Sequence, residues 1–275
     1  MTRQQQGDFA YGFERENDSA IAFRCSDDAN EWPWLKLHPA NQIALQATNY
    51  FALTGVSRFA GALDGTKWSA LTAFRWRAHD LGEGAAHPAR GLSHNADDEV
   101  GYSCRFFAAD GAPVYDVEGA GVVFRTRDFE AWRAKAKAEI LASPAPEGFV
   151  FAAPGDVGVD TAAEVFVAPP AHDDDGAYVD ALVTEESGFR PNHPYHGGSG
   201  DHVNSSHLCD AVQQAVKALR GRGFPRGGSA RFSRYVELAR PFRLALAGEA
   251  RDRLDLQITQ AGHKCATIAF DYDDD

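Results

Sequence analysis

The chain has 275 residues, 44% of them hydrophobic, with 39 acidic against 27 basic side chains and a formal net charge of −12. That is enough apolar material for one large core or two small ones, and it excludes a disordered chain. No basic run is present to follow a nucleic-acid backbone, the apolar runs break before the ~20 residues of a bilayer span, and the start MTRQQQGDF lacks both regions of a signal peptide. The expectation is a cytoplasmic protein with neither a nucleic-acid nor a membrane partner.

The four cysteines, Cys25, Cys104, Cys209 and Cys265, are far apart and form no CxxC pair, so they read as small core residues rather than zinc ligands or a disulfide framework. Cys209, beside Asp210, is the one nearest to candidate chemistry.

In chain order, residues 8–15 and 19–26 alternate as half-buried strands. A helix follows in which Ile43, Ala47, Tyr50, Phe51 and Thr54 share a face, with Gly55 after it. Residues 68–78 read as a strand, and the polar, Gly- and His-rich stretch 81–97 as an inserted loop. VGYSCRFF and PVYDVEGAGVVFRTR are two strands joined at Asp110-Gly111, a hairpin signal. Residues 128–141 read as a surface helix, SPAPEG as a linker, AAEVFVA as strand-like and DDDG as a loop.

A second helix occupies residues 200–219. Leu208, Ala211, Val212, Ala215, Val216 and Leu219 form one apolar stripe at helical period. Asn204, Ser205 and Ser206 offer oxygens to the orphan N–H groups at its start, and Gly221 suits the left-handed position past its end. Asp210 and Gln214 lie one turn apart beside this stripe. Asp210 reads either as a partly dry carboxylate suited to proton transfer or as a solvated or capping residue. Beyond the helix, residues 230–239, FRLALAGEA, LDLQIT and KCATIAFDY read as strands, the last two joined at Ala261-Gly262.

The second series repeats the first. Setting His38 against His202 without gaps places Asn41 opposite Ser205, Gln46 opposite Asp210, Ala47 opposite Ala211 and Tyr50 opposite Gln214. The expectation is an α+β protein of two repeats, residues 1–145 and 146–275, each an antiparallel sheet wrapped around one long helix.

That order resembles the double hot-dog fold. DHVNSSHLCDAVQQA, residues 201–215, resembles the DHVPGMxLLEAxRQA stretch of the hot-dog family that includes A-factor synthases. LCDAVQQAV resembles the LLDAxxQ helix of polyketide synthase dehydratase domains, and HVN at 202–204 is similar to acyl-carrier-protein thioesterases. Asn204-Ser205 stands where the family has Pro-Gly, Asp210 stands for Glu, and His38 is followed by PANQIALQ rather than by the dehydratase pattern HxxxGxxxxP.

The resemblance implies an acyl thioester carried by coenzyme A or acyl carrier protein, with no metal and no cofactor. N–H groups at a helix start would polarise the thioester carbonyl, a histidine would take the α-proton, and an aspartate would exchange protons with the β-hydroxyl. The implied catalytic pair is His38 with Asp210, steadied by Gln214. The mirror pair is His202 with Gln46, whose amide cannot act as an acid, so one site is degenerate. Asn41, Gln46, Asn204, Ser205 and Ser206 are the candidate substrate contacts, and His196 is a third candidate histidine.

Two further activities stay open: a thioesterase in which Asp210 activates water, and a non-catalytic acyl-binding or scaffold protein. Each histidine also has a plain reading as a loop or capping residue. HPYH at 193–196 with Asp173, Asp174 and Asp175 reads as a metal pair or as a solvated face, the second being the expectation. GGSG at 197–200 reads as a flexible approach to the helix. Trp32, Trp34, Tyr50 and Phe51 either line an acyl tunnel or are core. A duplicated unit of this kind is complete as a monomer and is also able to pair as a homodimer.

Overall fold

The computed structural model describes residues 8–62, 68–95, 101–124, 129–143, 147–187 and 201–273. The first series of elements is β1 (Ala10–Arg15), β2 (Ala20–Cys25), α1 (Gln42–Phe59), β3 (Trp68–Ala78), β4 (Arg90–Asn95), β5 (Gly101–Phe107) and β6 (Pro113–Phe124). Two connecting helices follow, α2 (Phe129–Leu141) and the single turn α3 (Pro154–Val157). The second series is β7 (Ala171–Asp173), β8 (Gly176–Ala181), α4 (Ser205–Arg220), β9 (Gly227–Phe232), β10 (Phe242–Ala250), β11 (Arg253–Gln260) and β12 (His263–Asp271).

Among the described residues the twelve strands belong to one antiparallel sheet, in the order β1-β2-β4-β5-β6-β3-β9-β12-β11-β10-β8-β7. Read inward from either edge, the elements recur in the same order, and the two series meet where β3 pairs with β9, with Phe74 opposite Ala230. Trp76 sits at this seam, stacked on Phe74 at 5.5 Å and edge-on to Phe270 of β12 at 5.6 Å. Gly228 admits it, because a Cβ there would collide with the Trp76 ring. The core lies between the sheet and the two long helices, which pack on each other. Ala44, Ala47 and Ala52 of α1 and Ala211, Val212 and Ala215 of α4 are all buried. Small side chains let the helices approach closely.

Several sequence expectations change. The first helix runs through Gly55 to Phe59. Gly55 is there for contact: a Cβ would lie 2.6 Å from Cζ of Phe13, the ring that β1 lays on the helix. Tyr50, placed on the apolar face by spacing, is exposed. The stretch taken as an inserted loop contains β4, a central strand bonded to β2 and β5. Its buried face carries Gly91, beneath the Phe23 ring, and Ser93 rather than large apolar residues, so no alternation reveals it. The strand placed at 230–239 is β9 at Gly227–Phe232, for the same reason: two glycines hide its start.

AAEVFVA is not a strand. Ala162–Glu164 forms a turn of 3-10 helix, and Val167 makes one isolated bridge to Ala181. The Phe166 N–H bonds the Gln214 side chain at 2.8 Å instead of a neighbouring strand. DDDG is the turn of the β7–β8 hairpin, with Gly176 at φ 119. The expected surface helix α2 is anchored by buried Arg133 and Ile140. Both hairpin turns hold as expected, with Gly111 at φ 92 and the Ala261-Gly262 pair at φ 49 and 77, and Gly221 ends α4 at φ 67.

Candidate active site

The buried stripe of α4 carries its flank inside with it. Asp210 is only 4% exposed, and its neighbours are amides. Oδ2 accepts from Nε2 of Gln214 at 2.8 Å, and Oδ1 accepts from Nδ2 of Asn41 at 3.3 Å. Burial without a cation pushes the Asp210 carboxyl up to about 7; the Gln214 and Asn41 hydrogen bonds pull against that shift, and the Glu164 carboxylate adds to it. Gln214 is saturated: its Nε2 also donates to the Glu164 carbonyl at 2.8 Å, and its Oε1 takes the Phe166 N–H.

Asp210 forms one wall of a cavity of about 230 Å³. His38 and Asn41 line it from the segment leading into α1, Glu164 and Phe166 from the segment before β7, and Phe224 from the loop after α4. Lys36 and Asp160 stand at the same cavity. Thus His38, Asn41 and Asp210, candidates from distant parts of the sequence, line one cavity, and Gln214 holds the carboxylate from its own helix.

His38 is held on three sides. Nδ1 accepts the Ala40 N–H at 3.1 Å, Nε2 lies 2.9 Å from the Gly82 carbonyl, and the ring stacks on Phe224 at 4.4 Å and 11°. An amide N–H must donate and a carbonyl must accept, so the imidazole proton sits on Nε2.

The start of α1 lies beside Asp210, but its N–H groups are already engaged. Asn41 Oδ1 accepts from Ile43 at 2.8 Å and Ala44 at 3.4 Å, and Gln213 Oε1 accepts from Gln42 at 3.3 Å. At α4, Asn204 occupies the N-cap position without a side-chain cap bond, contrary to expectation. Ser206 is buried, its hydroxyl 3.3 Å from Nδ1 of His207. None of Asn204, Ser205 and Ser206 lines the cavity.

The mirror pair is not brought together there. His202 Nδ1 bonds Asp201 at 2.8 Å, and its ring lies 4.4 Å from that of Tyr235. Burial raises the Asp201 carboxyl, but the His202 hydrogen bond and the Arg133 and Lys137 charges outweigh that and hold it at about 2. Gln46 Nε2 donates to Sγ of Cys209 at 3.4 Å. Burial pushes the Cys209 thiol up, which removes it as a nucleophile.

Trp32, Trp34 and Phe51 pack on one another and line no part of the cavity, with Trp34 stacked on Phe51 at 4.9 Å. Asp173 pairs with Arg243 at 2.6 Å, and among the described residues no cluster of three His, Cys, Asp or Glu side chains could hold a metal. His193, His196 and the GGSG stretch lie outside the described residues. Among the described residues no helix is long and apolar enough to cross a membrane.

Sequence reasoning missed Lys36, Asp160, Glu164, Phe166 and Phe224. The only local hint was the lone aromatic in the Gly221-Arg222-Gly223-Phe224-Pro225 loop.

No family model matches the chain, and no curated protein does. Solved structures do. The dehydratase domain from the CurF module of curacin polyketide synthase superposes with a TM-score of 0.53 at 9% identity, covering 96% of this chain and 97% of that one. An inactive mutant of the CurK dehydratase gives 0.52 at 10% identity, covering 96% and 95%. The 12:0-ACP thioesterase from Umbellularia californica gives 0.49 at 9% identity, covering 85% and 90%. End-to-end coverage at a TM-score above 0.5, together with a large antiparallel sheet packed on two long central helices, gives the conclusion that this chain has the hot-dog fold.

Proposed function

We propose that the chain is a double hot dog, with repeats at 1–145 and 146–275, that adds water to or removes it from an acyl thioester of coenzyme A or acyl carrier protein. The inward recurrence of strands from both sheet edges supports the duplication. The observation that carries the activity is Asp210, a buried carboxyl pushed up to about 7 at the wall of a cavity it shares with His38. A group of that kind can give a proton to a departing β-hydroxyl near neutral pH. The balanced step is loss of the α-proton to His38, loss of the β-hydroxyl with the Asp210 proton as water, and formation of the α,β double bond. His38 would have to free Nδ1 from the Ala40 N–H. Asn41 and Gln214 position the carboxylate. The reaction needs no metal or cofactor, and the duplicated chain can act as a cytoplasmic monomer or pair as a homodimer.

A thioesterase is the second reading, and the double engagement of the His38 ring favours it, since Asp210 could then act alone on water. His202 and Gln46 would belong to a degenerate mirror site, and Asn204, Ser205 and Ser206 to substrate contacts there.

Mass spectrometry of acyl, enoyl and 3-hydroxyacyl thioesters of coenzyme A, pantetheine and acyl carrier protein, after incubation with purified protein, tests this. Gain or loss of one water with the thioester intact is the expected result. Free thiol would establish the thioesterase instead. No change in any thioester would overturn both.

A further inference from the structure

Phe166 is the most deeply buried aromatic side chain at the cavity, 2% exposed. Its backbone is fixed at both polar groups: the N–H donates to Gln214 Oε1 at 2.8 Å, and the carbonyl accepts the Leu182 N–H at 2.8 Å. The ring lies 5.6 Å from that of His207, which is fully buried on α4. The ring is packed in the core, which resists its displacement. The Gln214 amide that holds the Phe166 backbone also donates to Asp210 Oδ2. One side chain therefore holds both the carboxylate and the Phe166 backbone, two parts of the same cavity lining. The cavity's volume, about 230 Å³, is below the ~300 to 1,000 Å³ of most small-molecule sites.

We propose that Phe166 is the specificity-determining residue of this site, a fixed wall that admits a short acyl group and excludes a long one, with Gln214 as the positioning residue that keeps wall and carboxylate in register. The inference rests on the acyl-thioester reading above. A long acyl chain must displace the ring, whereas a butyryl group ends before it. Because Gln214 grips Phe166 by its backbone, shortening the ring leaves the hydrogen bonds to Asp210 in place.

The test is calorimetric binding of butyryl and dodecanoyl pantetheine analogues in which a methylene replaces the thioester sulfur, so that nothing is consumed. The parent protein should bind the butyryl analogue at least about tenfold more tightly. Phe166→Ala should reverse that order and Phe166→Leu should narrow it, with thermal unfolding confirming that each variant is folded. Gln214→Ala should both widen the acyl range and move the midpoint of the pH–rate profile upward, a pairing that mere loss of stability does not produce. Equal binding of the two analogues by the parent, or an unchanged order in a folded Phe166→Ala, overturns the wall. Failure of the parent to bind either analogue overturns the acyl-thioester reading and the wall with it.

Discussion

Asn41 and Asp210 stand 169 positions apart in the chain and are joined by one hydrogen bond of 3.3 Å, Nδ2 to Oδ1. The other end of the same amide caps α1 through Ile43 and Ala44. The carboxylate is thus tied to the start of the first helix and, through Gln214, to its own helix. Neither tie supplies a positive charge, so burial dominates its ionisation.

That has a consequence for stability. The Asp210 carboxyl is raised in the fold, so its contribution is fully present below the ordinary aspartate range near about pH 4 and is lost as pH rises through about 7. Unfolding free energies from urea titrations across that window should fall for the parent relative to Asp210→Asn, by up to roughly 4 kcal/mol. Asn at 210 opposes one N–H group with another, which adds a constant cost at every pH. A pH-independent difference between the two proteins would show that the carboxyl ionises as it does in water.

The pH dependence of rate separates the two chemistries. Dehydration uses protonated Asp210, so its rate should fall as pH passes about 7; hydrolysis uses the carboxylate, so its rate should rise over the same interval. Initial rates with a 3-hydroxyacyl and a saturated acyl thioester check this, and Asp210→Asn should abolish the limb in either case.

Gly55 tests the packing of α1. Alanine is the better helix former by about 1 kcal/mol, but its Cβ would lie 2.6 Å from Phe13. Gly55→Ala should therefore destabilise, by roughly 1 to 3 kcal/mol, and combining it with Phe13→Leu should recover part of the loss. Thermal unfolding that shows Gly55→Ala to be stabilising would mean the Phe13 ring does not rest on the helix.

Arg133 of α2 meets Glu237 through two hydrogen bonds of 2.5 and 2.6 Å, with Glu237 only 2% exposed. Arg133→Met alone should cost roughly 3 to 5 kcal/mol because it strands a buried carboxylate, and adding Glu237→Leu should return most of it. A small loss in the single variant, read from denaturant midpoints, would show that α2 is only loosely docked.

The sequence by itself determined both long helices, the small-residue stripe of α4 with its glycine stop, both hairpin turns and the order of elements that resembles a double hot dog. Those features depend on neighbours a few residues away, where periodicity, capping and turn chemistry act. It misjudged β4 and the start of β9 because small residues there accommodate rings from other strands, so the alternation that marks a strand is missing. The resemblance already implied the pairing of His38 with Asp210; only the tertiary structure shows that both line one cavity, that His202 turns to Asp201, and that Glu164, Phe166 and Phe224 line the same cavity. The physical reason is that a carboxyl's chemistry follows from its burial and its partners. For Asp210 those partners come from segments far apart in the chain, and no local pattern records their meeting.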